Sequence, residues 1–263
     1  MNKVTRNFKN KFKYEFYTLV TDFNEYKEMV NSAKIFGFDN DVNFNYFDNT
    51  VLNEFDGFDA INYSIKNSQS KYIVVCHQDI VFKFDDREKL DFVLENLDIV
   101  DPNWGVAGNA GLNEFGELGI CITDPNGYVR QVKKEFPFLV GYLDENFIII
   151  NNSKNLACSI DLGGFHFYGL DLCQNANSLG LKCYVIDFHI FHKSIGNVNK
   201  AYIDLKKKFI NKIQNNKKSK FYYTTTTKFF VSSFKILNLL MNFKNIIINY
   251  SVFLLKLIRD MRG

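Results

Sequence analysis

Short apolar runs alternate with amphipathic stretches along the first two thirds of the chain. EFYTLV (15–20) reads as a strand, and DFNEYKEMVNSAKIF (22–36) as a helix with apolar positions three and four apart. An acidic, Asn-rich patch and YFDNT (46–50) follow, then a second helical stretch over 56–68. KYIVVCHQDIVF (71–82) carries an apolar run into His77, Gln78 and Asp79 before turning apolar again. Strand, helix, strand, helix, strand predicts an α/β domain with a largely parallel sheet. Beyond Asp85 the pattern predicts a helix to about Leu97, then a strand and glycine-rich loop in WGVAGNAG (104–111). DPNG (124–127) marks a turn between two strands, and LDENFIIINNS (143–153) reads as another strand. A short helix from Asp171 to Leu179 ends at Gly180, and CYVIDFHIFH (183–192) reads as one buried strand.

In a parallel α/β sheet, ligands bind outside the carboxyl ends of the strands. Asp79 falls at such an end, where a carboxylate can hold Mg²⁺ or Mn²⁺ shared with phosphate. His77 sits two residues away and suits Mn²⁺ better than Mg²⁺. A second polar knot, GGFHFYGLDLC (163–173), leads into a helix. There Asp171 reads either as an N-cap or as a general base facing a cleft. A third, FHIFHKSIG (188–196), ends an apolar strand at His192. There is no GxxxxGKS phosphate loop, no GxGxxG after a strand and no internal repeat.

The ordered set YIVVCHQD, WGVAGNAG, LDENFIII, FHFYGLDLCQNANSLG and VIDFHIFHKSIG resembles bacterial family 2-like glycosyltransferases of the GT-A fold. The nearer likeness is to the group that carries HQD in place of Asp-x-Asp. The resemblance covers roughly residues 15–198 and implies a Rossmann-like mixed sheet flanked by helices. By that likeness Asp79 and His192 serve a divalent metal, Mn²⁺ ahead of Mg²⁺. Asp48, Asn49, Asn62, His77, Gln78 and Asp79 contact a nucleotide-diphosphate sugar, with UDP as the best guess. The family often has Arg before the Asn at position 62, where this chain has Ile61. Asp171 matches the base that deprotonates an acceptor hydroxyl, and Trp104, Gly108, Asp144 and His166 fall in the acceptor half. The implied activity is inverting transfer of a sugar to a glycan or lipid-linked acceptor, in bacterial capsule, lipopolysaccharide or lipooligosaccharide synthesis. The alternative is a non-catalytic sugar-nucleotide or glycan-binding subunit assembled with a partner enzyme. A nucleotidyltransferase would want a basic glycine-rich loop near the N-terminus, and none is present.

Charge changes the picture at one place. From Asn199 onward 14 Lys and Arg accompany two Asp and Glu, whereas the preceding residues carry 18 basic and 27 acidic groups. A boundary is therefore expected near 199, between a catalytic domain (1–198) and a basic helical extension (199–263). Over 228–259, Lys235, Asn242, Asn249 and Lys256 recur every seven residues, and Asn238, Asn245 and Arg259 run parallel to them. On a helix this makes a narrow polar stripe and a wide apolar face. Such a helix suits the surface of an anionic bilayer; packing on the domain or on a second copy is the other reading. Nucleic acid is not expected, since the aromatic residues lie away from the lysines. The basic N-terminus lacks an apolar core for a secretory signal, which points to the cytoplasm, peripheral on the inner membrane face. Five cysteines without a CxxC pair read as buried thiols.

Overall fold

The computed structural model describes residues 11–127, 129–131, 135–194, 199–214 and 219–242. The first half alternates as expected: β1 (Phe12–Val20), α1 (Phe23–Ile35), β2 (Val42–Asp48), α2 (Gly57–Asn67), β3 (Ser70–Cys76), the short β4 (Ile80–Val81) and α3 (Arg87–Val100). Asp22, Asp56 and Asp86 start the three helices, each carboxylate accepting from amides of the first turn. The second half is rich in strands. β5 (Trp104–Gly108), β6 (Ala110–Leu112), β7 (Leu118–Thr123), β8 (Val129–Gln131), β9 (Phe138–Val140), β10 (Tyr142–Leu143) and β11 (Phe147–Asn151) precede α4 (Tyr168–Ser178). β12 (Lys182–Val185), β13 (Ile190–His192), α5 (Lys200–Ile213) and the hairpin of β14 (Lys220–Tyr223) with β15 (Lys228–Val231) follow. Residues 235–242 are helical.

The main sheet has seven strands in the order β2-β1-β3-β11-β5-β12-β9. β2, β1 and β3 run parallel, as do β5 and β12. β11 runs against both neighbours, with Phe147 opposite Cys76 and Ile148 opposite Gly108. The sheet is therefore mixed, and the start of β11, not its end, lies beside the carboxyl ends of β3 and β5. A second sheet, β10-β6-β7-β13-β4 with β8 on β7, stands at that rim. Buried aromatic and branched residues from alternate strand positions fill both faces of the main sheet: Tyr14, Phe16, Tyr72 and Val74 on one side, Tyr17, Ile73 and Val75 on the other.

Three expectations change. The apolar run 183–192 divides into β12 and β13, which belong to different sheets; the Ile186 amide donates to Gly108 and the Phe188 amide turns back to Ile186. α4 begins at Tyr168, three residues before the expected start, because Phe167 takes φ 64 and serves as its N-cap residue. Left-handed backbone is strained for an aromatic residue, and Phe167 is held there by burial against Tyr202 and Phe209. Finally, Lys228–Val231 is a strand rather than the start of a long helix. It pairs with Lys220–Tyr223, and Tyr222 stacks on Phe229.

Described residues beyond 199 share the core of the sheet. Tyr202, Leu205 and Phe209 of α5, with Tyr222, Phe229 and Val231 of the hairpin, lie in one apolar cluster with Val75, Ile148 and Cys183. The shift in charge at Asn199 thus marks a change of surface and not of core. In the 235–242 helix the two asparagines of the polar stripe face inward, while Lys235 is exposed. Asn238 brackets the backbone of Ser232 with both ends of its amide, and Asn242 does the same at Phe230. The apolar residues are turned outward: Phe234, Ile236, Leu239 and Leu240 are 72, 76, 69 and 62 % exposed. The repeat positions Asn245, Asn249, Lys256 and Arg259 lie outside the described residues. All five cysteines are buried free thiols. Among the described residues no helix is long and apolar enough to cross a membrane.

Candidate active site

His77 follows the last residue of β3, and its amide donates to the carbonyl of Asn146, just before β11. Asp79 lies between β3 and β4, and His192 ends β13, whose partner strand is β4. Pairing of β13 with β4 places His192 opposite Ile80 and closes three side chains on one another. His192 Nε2 is 3.3 Å and His77 Nδ1 3.8 Å from the Asp79 carboxylate, and the two imidazoles approach to 3.4 Å. Ser194 Oγ is 3.2 Å from His192 Nε2, and the Tyr168 hydroxyl reaches His77 Nε2 at 3.4 Å.

The charges in this cluster are set by one another. Burial alone would raise the Asp79 carboxyl, but the hydrogen bond and positive charge of His192, with His77 behind it, hold it well below the usual carboxylate range. Burial and the neighbouring His192 lower the His77 imidazole, keeping it neutral near pH 7. For His192 burial acts downward, and the hydrogen bond to Asp79 overcomes it and raises the imidazole. One ligand atom from each of His77, Asp79 and His192 can be chosen with all three within 4.8 Å. Two imidazole nitrogens and one carboxylate oxygen, partly buried and adjacent to open space, fit a divalent ion that accepts nitrogen as well as oxygen, Mn²⁺ better than Mg²⁺.

His77 and His192 stand in the wall of a cavity of about 550 Å³. Its other walls come from distant parts of the chain: Asp144 and Glu145 before β11, His166 and Phe167 before α4, Tyr202 of α5 and Thr224–Thr226 of the hairpin turn. No Lys or Arg is among the described residues that line it. Asp144 is tied by Asn146 and by Thr225 Oγ1, which donates at 2.9 Å. Burial, with Asp144 adding to it, pushes the Glu145 carboxyl up to about 8. His166 meets the edge of the Tyr202 ring and is lowered by burial.

Of the residues expected from the sequence, the fold brings His77, Asp79, His192, Asp144 and His166 to this place. Gln78 adjoins it as a splint: its amide accepts from Thr21 and Asp22 and donates to Thr21 Oγ1, fixing the β1–α1 turn. Asp48 is exposed at the end of β2, where the Thr50 hydroxyl and amide lower its carboxyl. The others do different work. Asn49 brackets the backbone of Phe55, and Asn62 that of Cys158, so both ends of each amide are engaged. Trp104 lies in the core at the far end of β5, donating to Asp98 and stacked on Tyr72. Gly108 is packed so closely that a Cβ would lie 2.8 Å from the Phe147 carbonyl. Asp171 is buried outside the cavity, where it accepts from the amide and hydroxyl of Ser159 at 2.7 and 2.8 Å. It is neither the N-cap nor open to a cleft. Glu145, Tyr142, Tyr202 and the Thr224–Thr226 turn had no separate sequence signal beyond Glu145 standing next to Asp144.

Comparison with known proteins adds a relative. The chain is 35% identical over 182 residues to the ATP synthase subunits region ORF 6 protein of Fuscovulum blasticum, an alignment covering 66% of this chain and 73% of that one. The chain belongs to that protein's family. No protein-family model matches it. Similar solved structures include S. aureus TarS (TM-score 0.47, 11% identity, 78% of this chain and 40% of that one). They also include TarS 1–349 in complex with UDP-GlcNAc (0.45, 12%, 78% and 67%). A further one is GalNAc-T7 with UDP, GalNAc and Mn²⁺ (0.47, 8%, 75% and 48%). The chain spans less than half the length of full TarS and of GalNAc-T7. A functional assignment therefore rests on the chemistry of the site rather than on these likenesses.

Proposed function

We propose that this chain is a metal-dependent glycosyltransferase of the GT-A type, moving a sugar from a nucleotide-diphosphate donor to a hydroxyl with inversion. The observation that carries the reading is the His77–Asp79–His192 cluster at the carboxyl ends of the sheet, beside a cavity lined by carboxylates. A diphosphate entering a cavity walled by Asp144 and Glu145, with no basic side chain among the described lining residues, needs a cation to meet its charge. His77, Asp79 and His192 are the residues that would hold it, with Mn²⁺ favoured over Mg²⁺ by the two imidazoles. When bound, the ion supplies Lewis-acid stabilisation of the departing diphosphate. The exposure of Asp48 at the end of β2, on the same edge of the sheet, supports a contact with the nucleoside, and UDP is the first nucleotide to try. The acceptor half takes Asp144 and His166 from the cavity wall.

The acceptor we propose is a glycan on a lipid carrier of a bacterial surface polysaccharide, met at the inner membrane face. The outward apolar face of the 235–242 helix supports this, because the asparagines of its polar stripe are already used on the β15 backbone. Lys207 and Lys208 of the preceding helix, both exposed, add charge suited to anionic lipid, each contributing about 1 kcal/mol when near the surface. Titration of the purified chain with UDP, GDP and other nucleotide diphosphates, with and without Mn²⁺, tests the donor site. Binding that needs both Mn²⁺ and Asp79, lost in Asp79→Ala, is the expected result. Binding that ignores both would sink the proposal. For the membrane face, Ile236→Gln with Leu240→Gln should release the chain from phosphatidylglycerol vesicles; unchanged vesicle binding would remove that part.

A further inference from the structure

Inverting transfer needs a base for the acceptor hydroxyl, and Asp171 is spent on Ser159. We propose that Glu145 is the catalytic residue that takes this proton. The proposal rests on the glycosyltransferase reading and goes beyond it.

Glu145 lines the same cavity as His77 and His192. Its Oε2 accepts from the Tyr142 hydroxyl at 3.3 Å, while Oε1 is buried and has no hydrogen-bond partner. An acceptor hydroxyl entering the cavity is a donor of the kind that a carboxylate in its wall can accept. The Tyr142 hydroxyl also meets Thr225 Oγ1 at 3.4 Å, so the carboxylate is oriented from the hairpin side as well. The first turn of α4 packs directly on this segment. A Cβ on Gly169 would lie 2.3 Å from the Leu143 carbonyl and 3.3 Å from Glu145 Oε1, so only glycine leaves the carboxylate its place.

The groups around Glu145 match the task. Asp144 lies beside it in the chain, and Tyr142, Tyr168 and Tyr202 face it from β10, α4 and α5. None of these is a cation, and burial outweighs the backbone amides of Glu145 and Gly169 and the Tyr142 hydroxyl, which favour the ionised form. Burial raises it to about 8, which makes it a stronger base than a solvated glutamate at the cost of a smaller ionised fraction near neutrality. In the step itself the acceptor oxygen forms a bond to the anomeric carbon through a lone pair. The bond from that carbon to the diphosphate oxygen breaks, its electron pair leaving with the nucleoside diphosphate, and the hydroxyl proton passes to Glu145. The proton then returns to solvent.

Hydrolysis of nucleotide sugars, with water as the acceptor, tests this before the natural acceptor is known. The full chain with Mn²⁺ would be given UDP-glucose, UDP-galactose, UDP-GlcNAc and UDP-GalNAc, and UDP affinity would be measured beside turnover. Glu145→Gln should lose about 10²–10⁴-fold in turnover while UDP affinity stays within about threefold. Glu145→Ala, which opens space, should regain part of the rate with added formate. Turnover in Glu145→Gln within threefold of wild type would overturn the proposal. So would a wild-type chain that binds UDP with Mn²⁺ yet turns over none of the four donors. A chain that binds no nucleotide diphosphate at all would instead overturn the transferase reading beneath it.

Discussion

Asp171 is the residue whose role changes most between sequence and structure, and its substitution separates the two readings. The carboxylate accepts from the Ser159 amide and hydroxyl, and from Asn175 Nδ2 at 3.2 Å, with only 3% of the residue exposed. Hydrogen bonds to a charged group contribute about 1.5–3 kcal/mol each. Burial, however, raises the Asp171 carboxyl despite these bonds, so desolvation cancels part of their sum. Asp171→Ala should therefore destabilise by about 2–4 kcal/mol, leaving the Ser159 amide without an acceptor. Asp171→Asn should cost little. Its oxygen can accept from the Ser159 amide, and its nitrogen can donate to the Ser159 hydroxyl, which rotates to suit. Because the folded carboxyl is raised, its protonated form is favoured by folding, and that contribution is lost as pH rises through the folded pKa. Asn should consequently gain on wild type between mildly acid and neutral pH. Urea unfolding followed by fluorescence of Trp104, the single and fully buried tryptophan, reads this directly. With a slope near 3 kcal/mol per M, the Ala variant should shift the midpoint by about 1 M. The reasoning fails if Asp171→Asn keeps its midpoint but loses a hundredfold in donor turnover, or if Asp171→Ala leaves the midpoint in place.

Three further outcomes are expected. Gly57→Ala places a Cβ 2.2 Å from the Tyr168 ring, whose hydroxyl reaches His77; overpacking of about 1–3 kcal/mol should appear in a thermal scan, with weaker Mn²⁺ binding. Mn²⁺ affinity, measured by titration calorimetry, should fall as pH drops, because the ion must displace the proton that Asp79 stabilises on His192; a flat profile from neutrality downward would exclude His192 as a ligand. Donor turnover should rise with pH through about 8, as the Glu145 carboxyl ionises, and then level off, and Glu145→Gln should remove that limb.

The local pattern of this chain determined the strands and helices of its first half and brought out three residues of the candidate site. His77, Asp79 and His192 were legible because each follows or ends an apolar run; the carboxyl end of β3 carries the first two to the rim, and antiparallel pairing of β13 with β4 brings His192 to them. Apolar spacing likewise announced α1, α2 and α3, whose starts the structure shows capped by Asp22, Asp56 and Asp86. Polar residues whose partners are far away were not legible. Asn62 meets the backbone of Cys158, 96 residues on, and no local signal distinguishes such a brace from a ligand contact. The antiparallel course of β11 was decided by pairing with β3 and β5, and it alone brought Asp144 and Glu145 to the rim. The same holds for the basic extension. Its charge and its seven-residue polar repeat could be read from the chain, yet only packing turned Asn238 and Asn242 inward and left the apolar side exposed. It also set Tyr202 and the Thr224–Thr226 turn against a cavity whose other walls come from far earlier in the chain. Periodicity records which face of an element avoids water, a local property. Which elements meet depends on contacts between distant residues, and those exist only once the chain has folded.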